Sequence, residues 1–262
     1  DTPLPAETYA LRESYLQAAQ FVGREREYHL LTTALADAKA GNGSAWLIGG
    51  ESGVGKSRLI EEIRTQALIE GAVVLRGQAV AEGGQPYQLW CDAIRRLVIH
   101  TAPTDLTAEV LKPLIPDIDR LLGHPVNNPP EIDVTSIQPR LLSAIESLFT
   151  QSNRLLVLLL EDLHWADDSL NLLKRLNDLA QTDQLFIVAT YRDDERPSLA
   201  QELSSLHHLK LPRLSPDAIQ RLSAAMLGET GKSPDLIDFL LRESEGNVFF
   251  VVEVVRALAE DA

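Results

Sequence analysis

Gly50-Glu51-Ser52-Gly53-Val54-Gly55-Lys56-Ser57 decides how this chain is read. The spacing Gly50-x-x-x-x-Gly55-Lys56-Ser57 is a complete phosphate-binding loop signature. Its flanks agree with it. Ala45-Trp46-Leu47-Ile48, just before, is a short apolar run of the kind that forms a buried strand. After it, Leu59, Ile60, Ile63 and Ala67 recur at helical spacing, and Gly71 supplies a helix end. The residue types follow from the chemistry. Gly50, Gly53 and Gly55 permit a tight turn and bring main-chain N–H groups close to an anion, where a Cβ would intrude. The helix that follows turns its positive end toward phosphates. Lys56 is a point charge for β- and γ-phosphates. The Ser57 hydroxyl suits Mg2+, a hard cation that takes oxygen ligands. A chance glycine-rich turn is the bland alternative, and the strand and helix on either side argue against it.

A second decisive stretch is Leu155-Leu156-Val157-Leu158-Leu159-Leu160, which ends in Glu161-Asp162. A continuous apolar run reads as a central parallel strand buried on both faces. Acidic groups at the C-terminal tip of such a strand lie where open α/β sheets bind ligands. Glu161 or Asp162 would hold Mg2+ through water, and the other would orient an attacking water. These tips are expected on a strand neighbouring the one that feeds the loop. A strand that simply ends in acidic residues is the alternative. Leu163-His164-Trp165-Ala166-Asp167-Asp168-Ser169 leads into a helix carrying Leu172, Leu173, Leu176 and Leu179. Asp167 and Ser169 are helix-cap types, and His164 reads as a structural hydrogen-bonding residue. Leu185-Phe186-Ile187-Val188-Ala189-Thr190-Tyr191-Arg192 is another buried strand ending in a cation. Arg192 either reads a γ-phosphate or pairs with Asp193, Asp194 or Glu195. Val73 to Leu75 and the Leu209/Leu211 pair supply two more strands.

The remainder is mostly helical. Helices are expected over 87–99 and 137–149, separated by loops at Pro113, Pro116, Pro125, Pro129 and Pro130. From Pro212 on, only helices are expected. Ser215-Pro216-Asp217 and Ser233-Pro234-Asp235 are two copies of one start signal: Ser caps, Pro fits the first turn, Asp favours the dipole. Residues 1–20 read as a linker or the tail of a preceding domain, 21–212 as the nucleotide-binding domain, and 213–262 as a small helical domain docked on it. The chain starts with Asp1 rather than Met and is expected to be part of something longer.

Composition excludes several classes. The 262 residues suffice for one large core without staples. A formal net charge of −14 argues against direct nucleic-acid binding or adhesion to anionic membranes by this chain. Cys91 is alone, so it forms no internal disulfide; it reads as a small buried hydrophobe in a reducing, cytoplasmic setting. No apolar run approaches membrane-spanning length, and no signal peptide is expected.

Taken together and in order, these segments resemble the STAND class of P-loop ATPases, in particular the bacterial branch found in large transcriptional regulators and cyclase-like signalling proteins. Phe21-Val22-Gly23-Arg24-Glu25 resembles the motif that opens their nucleotide domain, Gly50 to Ser57 their phosphate loop, Glu161 to Asp167 their Walker B segment, and Thr190-Tyr191-Arg192 their sensor. Gly246-Asn247-Val248-Phe249-Phe250 resembles the Gly-x-Pro lid motif, with Val248 where the proline is expected. Glu161 stands where the class often has Asp. The resemblance implies an α/β P-loop NTPase fold with a five-stranded parallel sheet and a C-terminal helical lid. It implies ATP/ADP and Mg2+ as cofactors. Nucleotide contacts would come from Phe21, Val22, Gly23, Arg24, Glu51, Ser52, Gly53, Val54, Gly55, Lys56, Ser57, Arg58, Gly246 and Val248. Lys56, Glu161, Asp162 and Arg192 would carry the chemistry, and Ser57 with Glu161 or Asp162 would hold the metal. The implied activity is slow, regulatory ATP hydrolysis in a switch. ADP would lock the lid; ATP would open it and permit homo-oligomerisation, with sensor and effector domains on the same polypeptide as partners. An actively turning-over motor or a phosphotransferase is the alternative, and a degenerate nucleotide-binding scaffold a third.

Overall fold

Apolar runs in this chain become strands because both of their faces are covered. In a computed structural model, which describes residues 21–81, 87–129, 134–166 and 170–260, five strands form one sheet. They are β1 (Ser44–Gly49), β2 (Val73–Gln78), β3 (Leu156–Glu161), β4 (Leu185–Tyr191) and β5 (His207–Lys210). The order is β2-β3-β4-β1-β5 and every pairing is parallel. The expected five-stranded parallel sheet is therefore present. The expectation that the acidic strand neighbours β1 is corrected: β4 lies between them. Strand adjacency is set by crossover connections, which periodicity does not reveal. β4 is buried along its whole length and β3 up to Glu161, as a two-sided central strand must be. β5 is a short edge strand, mostly exposed and reading His207-His208-Leu209-Lys210, a polar composition that discourages edge-to-edge pairing.

The chain packs as two units. One contains residues 29–50 and 57–210, with the whole sheet. Here α1 (Glu25–Lys39) ends at Gly41, φ +94°, with Gly41 N–H on the Ala38 carbonyl and Asn42 N–H on that of Asp37. α2 (Lys56–Ile69) ends the same way at Gly71, φ +78°, through Gly71 N–H to Leu68 and Ala72 N–H to Ala67, the paired bonds of a Schellman end. Leu59, Ile60, Ile63 and Ala67 of α2 are fully buried. The stretch between β2 and β3 holds α3 (Gln88–Thr101), α4 (Asp105–Leu111), α5 (Ile118–Leu122) and α6 (Val134–Thr150). Its work is packing. Trp90, Ile94 and Leu97 of α3 and Leu148 of α6 join Leu75, Leu158 and Leu160 of the strands in one apolar core. Gly77 shows how near α3 comes: a Cβ there would meet the Leu89 carbonyl oxygen at 2.1 Å. α6 starts three residues earlier than the expected 137–149, so that Pro139, already within the expected range, lies beyond its first turn. α7 (Leu170–Ala180) and the short α8 (Leu199–Glu202) complete this unit. The expected caps Asp167 and Ser169 and the linker 1–20 lie outside the described residues.

The other unit, among the described residues, contains 21–28, 51–56 and 211–260. Its helices are α9 (Pro216–Leu227), α10 (Pro234–Ser244) and α11 (Val248–Glu260). Ile219, Leu222, Leu240, Val251 and Val255 form its core, with Val22 packed against it. Ser215 caps α9 as expected, its Oγ accepting from the Ala218 N–H at 3.3 Å. Ser233 does not cap α10 with its side chain. There the preceding 3-10 turn, Gly228–Lys232, delivers the chain, and Pro234 fixes φ at the first helical position.

Candidate functional site

Residues 51–56 leave β1 and enter α2, yet they pack with the C-terminal helices. The bonds that hold them run through their carbonyls. Lys56 Nζ donates to the Glu51 carbonyl at 2.8 Å. Asn247 Nδ2 donates to that of Ser52 at 2.8 Å, and the Phe249 N–H to that of Gly53 at 3.0 Å. Arg24 Nη2 donates to that of Val54 at 3.0 Å. Gly53 and Gly55 adopt φ +77° and +100°, open only to glycine at little cost. Lys56 is buried. The Glu51 carboxylate receives both Arg213 Nε and Nη2, at 3.0 and 2.8 Å, and Arg213 Nη1 reaches Glu245 at 2.6 Å. Both carboxylates hold the Arg213 guanidinium above its ordinary pKa, Glu51 first.

Phe21-Val22-Gly23-Arg24-Glu25 joins this same unit. Phe21 meets Tyr28 edge-on at 5.7 Å. Gly23, φ +79°, lies so close to α9 that a Cβ would stand 2.8 Å from that of Ala218. Glu25 pairs with Arg221 at 2.7 Å. Arg24 is buried; its Nη2 also bonds the Pro212 carbonyl, and Nη1 lies 3.6 Å from Glu27. Burial pulls the Arg24 guanidinium below its ordinary value, with Glu27 opposing. Gly246, φ +85°, accepts from the Leu214 N–H at 2.7 Å. Val248 places a methyl 4.0 Å from where a Cβ on Gly55 would be. So the opening motif, the phosphate loop and the Gly246 segment, which are far apart in sequence, come together in one unit.

In the sheet unit, the parallel strands bring three chain ends to one edge: Gly49-Gly50 after β1, Glu161-Asp162 after β3, and Tyr191-Arg192 after β4. Gly49 lies opposite Tyr191, and a Cβ on it would stand 2.7 Å from the Tyr191 ring. Both acidic tips are engaged from β2. Arg76 Nη2 donates to Glu161 at 2.7 Å, and Arg76 Nη1 lies 2.9 Å from Glu61 of α2. Gln78 Nε2 donates to Asp162 at 3.0 Å. Asp162 takes φ +60°, which turns the chain into the Leu163–Trp165 3-10 turn. That turn buries His164, whose Nδ1 accepts from the Arg192 N–H at 3.4 Å and whose Nε2 lies 3.3 Å from Glu195. The Arg192 guanidinium pairs with Glu195 and stands 5.7 Å above the Trp165 ring. Arg58, on the first turn of α2, pairs with Glu62 at 2.6 Å.

The donor set fits a phosphate chain with a hard cation. Gly53 and Gly55 take the positive φ of a tight anion-binding turn, and Ser57, Glu161 and Asp162 offer oxygen only. No group of three or more His, Cys, Asp or Glu among the described residues makes a dedicated metal cage, as is usual where Mg2+ is held by one or two side chains with phosphate and water. Sequence reasoning missed Arg76, Gln78 and Arg213, and it quoted Asn247 without a role. Asn247 alone carried a signal, an amide just ahead of an apolar helix.

Comparison with solved structures finds chains of the same fold. An Orc1 protein from Aeropyrum pernix, in complex with DNA, matches with a TM-score of 0.52 at 17% identity, over 93% of this chain and 61% of that one. Drosophila ORC bound to DNA matches at 0.53 and 16%, over 98% and 62%. AMPPCP-bound DnaA from Aquifex aeolicus matches at 0.53 and 14%, over 92% and 63%. This chain thus spans about three fifths of the length of these relatives. Comparison with the curated proteins returns no match. A family model described as an AAA ATPase domain matches residues 20–188, which include the phosphate loop, β1 to β3 and the first half of β4. By that match the chain belongs to the AAA ATPase domain family.

Proposed function

We propose that this chain is the ATP/ADP-binding switch module of a STAND-type signalling ATPase. The observation that carries the reading is that residues 51–56 pack with the C-terminal segment and are bonded to Arg213, Asn247 and Phe249 of it at Glu51, Ser52 and Gly53. A phosphate loop held by that segment ties nucleotide state to its position. Reciprocal coupling then follows, because whatever biases one biases the other. The ordered resemblance of the sequence motifs supports the STAND assignment. The wider roles proposed with it are a homo-oligomer in the ATP state, sensor and effector domains on the same polypeptide, and a cytoplasmic setting. Among the described residues no helix is long and apolar enough to cross a membrane. The DNA bound by two of the relatives belongs to those proteins; a net charge of −14 supports no direct nucleic-acid contact by this chain.

In this reading Lys56 and the N–H groups of the loop bind the phosphates, and Ser57 with Glu161 or Asp162 holds Mg2+. Bound there, Mg2+ would neutralise charge on the phosphate oxygens. The other acidic residue orients the attacking water. Arg192 reads the γ-phosphate only by leaving Glu195, which favours slow hydrolysis. Phe21, Val22, Gly23 and Arg24 with Gly246 and Val248 frame the nucleotide from the same unit as the loop.

The test is direct. Nucleotide released on denaturing the purified chain should be adenine nucleotide, and turnover should fall below about one per second, the low end of ordinary enzyme rates. Lys56→Ala should abolish binding. Unchanged affinity in that variant, or brisk turnover by the isolated chain, would overturn the reading.

A further inference from the structure

Asn247 stands one residue ahead of α11 and is 7% exposed. Its carboxamide makes two bonds of opposite sense. Nδ2 donates to the Ser52 carbonyl at 2.8 Å. Oδ1 accepts from the Phe249 N–H at 3.1 Å, the bond an N-cap makes to the second helical residue. These partners fix the amide's orientation, since a carbonyl accepts only from the nitrogen and an N–H donates only to the oxygen. The Phe249 N–H also reaches the Gly53 carbonyl. The fit is close: a Cβ on Gly53 would stand 2.6 Å from Asn247 Oδ1.

A trans peptide unit is planar, with its C=O and the following N–H pointing in opposite directions. Fixing the Ser52 carbonyl therefore fixes the Gly53 N–H. In the same way, Phe249 on the Gly53 carbonyl fixes the Val54 N–H, and Arg24 on the Val54 carbonyl fixes the Gly55 N–H. Each of these N–H groups is turned away from the donor that holds its peptide, the sense a phosphate cradle requires.

We propose that Asn247 is a positioning residue for the phosphate loop: by holding the Ser52 carbonyl it presents the Gly53 N–H to the nucleotide, and it carries the state of α11 to the loop. This rests on the reading of residues 50–57 as the nucleotide site. The role needs a donor and an acceptor on one short side chain. Serine keeps the acceptor that caps α11 but is too short to reach Ser52. Aspartate keeps the cap and sets an oxygen against the Ser52 carbonyl.

The experiment measures fluorescent Mg·ADP affinity and thermal unfolding for the wild type, Asn247→Ser and Asn247→Asp. Asn247→Ser should unfold near the wild-type temperature and bind on the order of five- to tenfold more weakly, the scale of one buried hydrogen bond. Asn247→Asp should bind more weakly still. A residue that only caps α11 predicts wild-type affinity in both, and that result overturns the proposal while leaving nucleotide binding by the wild type intact. A wild type that binds no nucleotide overturns the functional reading and this proposal together.

Discussion

Gly53→Ala probes the junction of loop and helix, and the structure lets its cost be divided. Gly53 sits at φ +77°, where an L-residue loses roughly 1–2 kcal/mol. Its new Cβ would also stand 2.6 Å from Asn247 Oδ1 and 3.0 Å from Phe249 Cβ. Forcing a methyl into filled space adds about 1–3 kcal/mol, for a total of about 2–5 kcal/mol. Gly55→Ala is the internal control. It is also at positive φ, +100°, but its Cβ would meet only a Val248 methyl at 4.0 Å, so the backbone contribution of about 1–2 kcal/mol stands alone. The reporter is the Phe249 amide, which donates to the Gly53 carbonyl. Hydrogen exchange there, without nucleotide, measures the free energy of local opening. Its protection should drop on the order of 30-fold or more in Gly53→Ala and roughly tenfold in Gly55→Ala, at about 1.4 kcal/mol per decade. In an Asn247→Ala background the extra cost of Gly53→Ala should shrink toward that of the control, a coupling that a double-mutant cycle isolates. Equal losses for the two glycines, or an unchanged Gly53→Ala cost without Asn247, would refute the reasoning.

Arg76 bridges Glu161 and Glu61, and the hydrogen bond to Glu161 is the main cause of its raised pKa. A cation bound to Glu161 competes with Mg2+, so Arg76→Ala should lower the Mg2+ concentration needed for half-maximal nucleotide binding; a higher requirement would show that Arg76 supports the metal site instead. Burial raises the Cys91 thiol above its ordinary pKa. A raised acid favours the folded state below the unfolded thiol value, about 8.5, and that contribution is lost as pH rises through the folded value. Alkylation of Cys91 at mildly alkaline pH should therefore run more slowly in the folded chain than in the denatured one, and equal rates would contradict its placement against the Tyr87 and Leu114 carbonyls.

Much of the fold was legible because it rests on local chemistry. The runs at β3 and β4 are apolar throughout because both of their faces are covered. Gly41 and Gly71 end their helices at positive φ, as glycine after an apolar helical pattern suggests. What could not be read depends on partners distant in sequence. Nothing near Arg213 in the sequence announces Glu51, 162 residues away, and nothing near Arg76 announces Glu161. The position of β4 between β1 and β3 follows from crossovers that side-chain pattern does not encode. Of the candidate site, the loop and the acidic tips were legible as residue types. The clasp on the loop's carbonyls was not, because any donor at the right place would serve.

That clasp bears on where the molecule can be divided. The segment matching the AAA ATPase domain ends at residue 188, ahead of β5, Arg213 and Asn247. A fragment trimmed to that boundary would retain the phosphate loop, Gly50 to Ser57, and both acidic residues, Glu161 and Asp162. It would lose the groups that hold the Ser52 and Gly53 carbonyls. The smallest piece carrying the motif is thus smaller than the smallest piece carrying its shape.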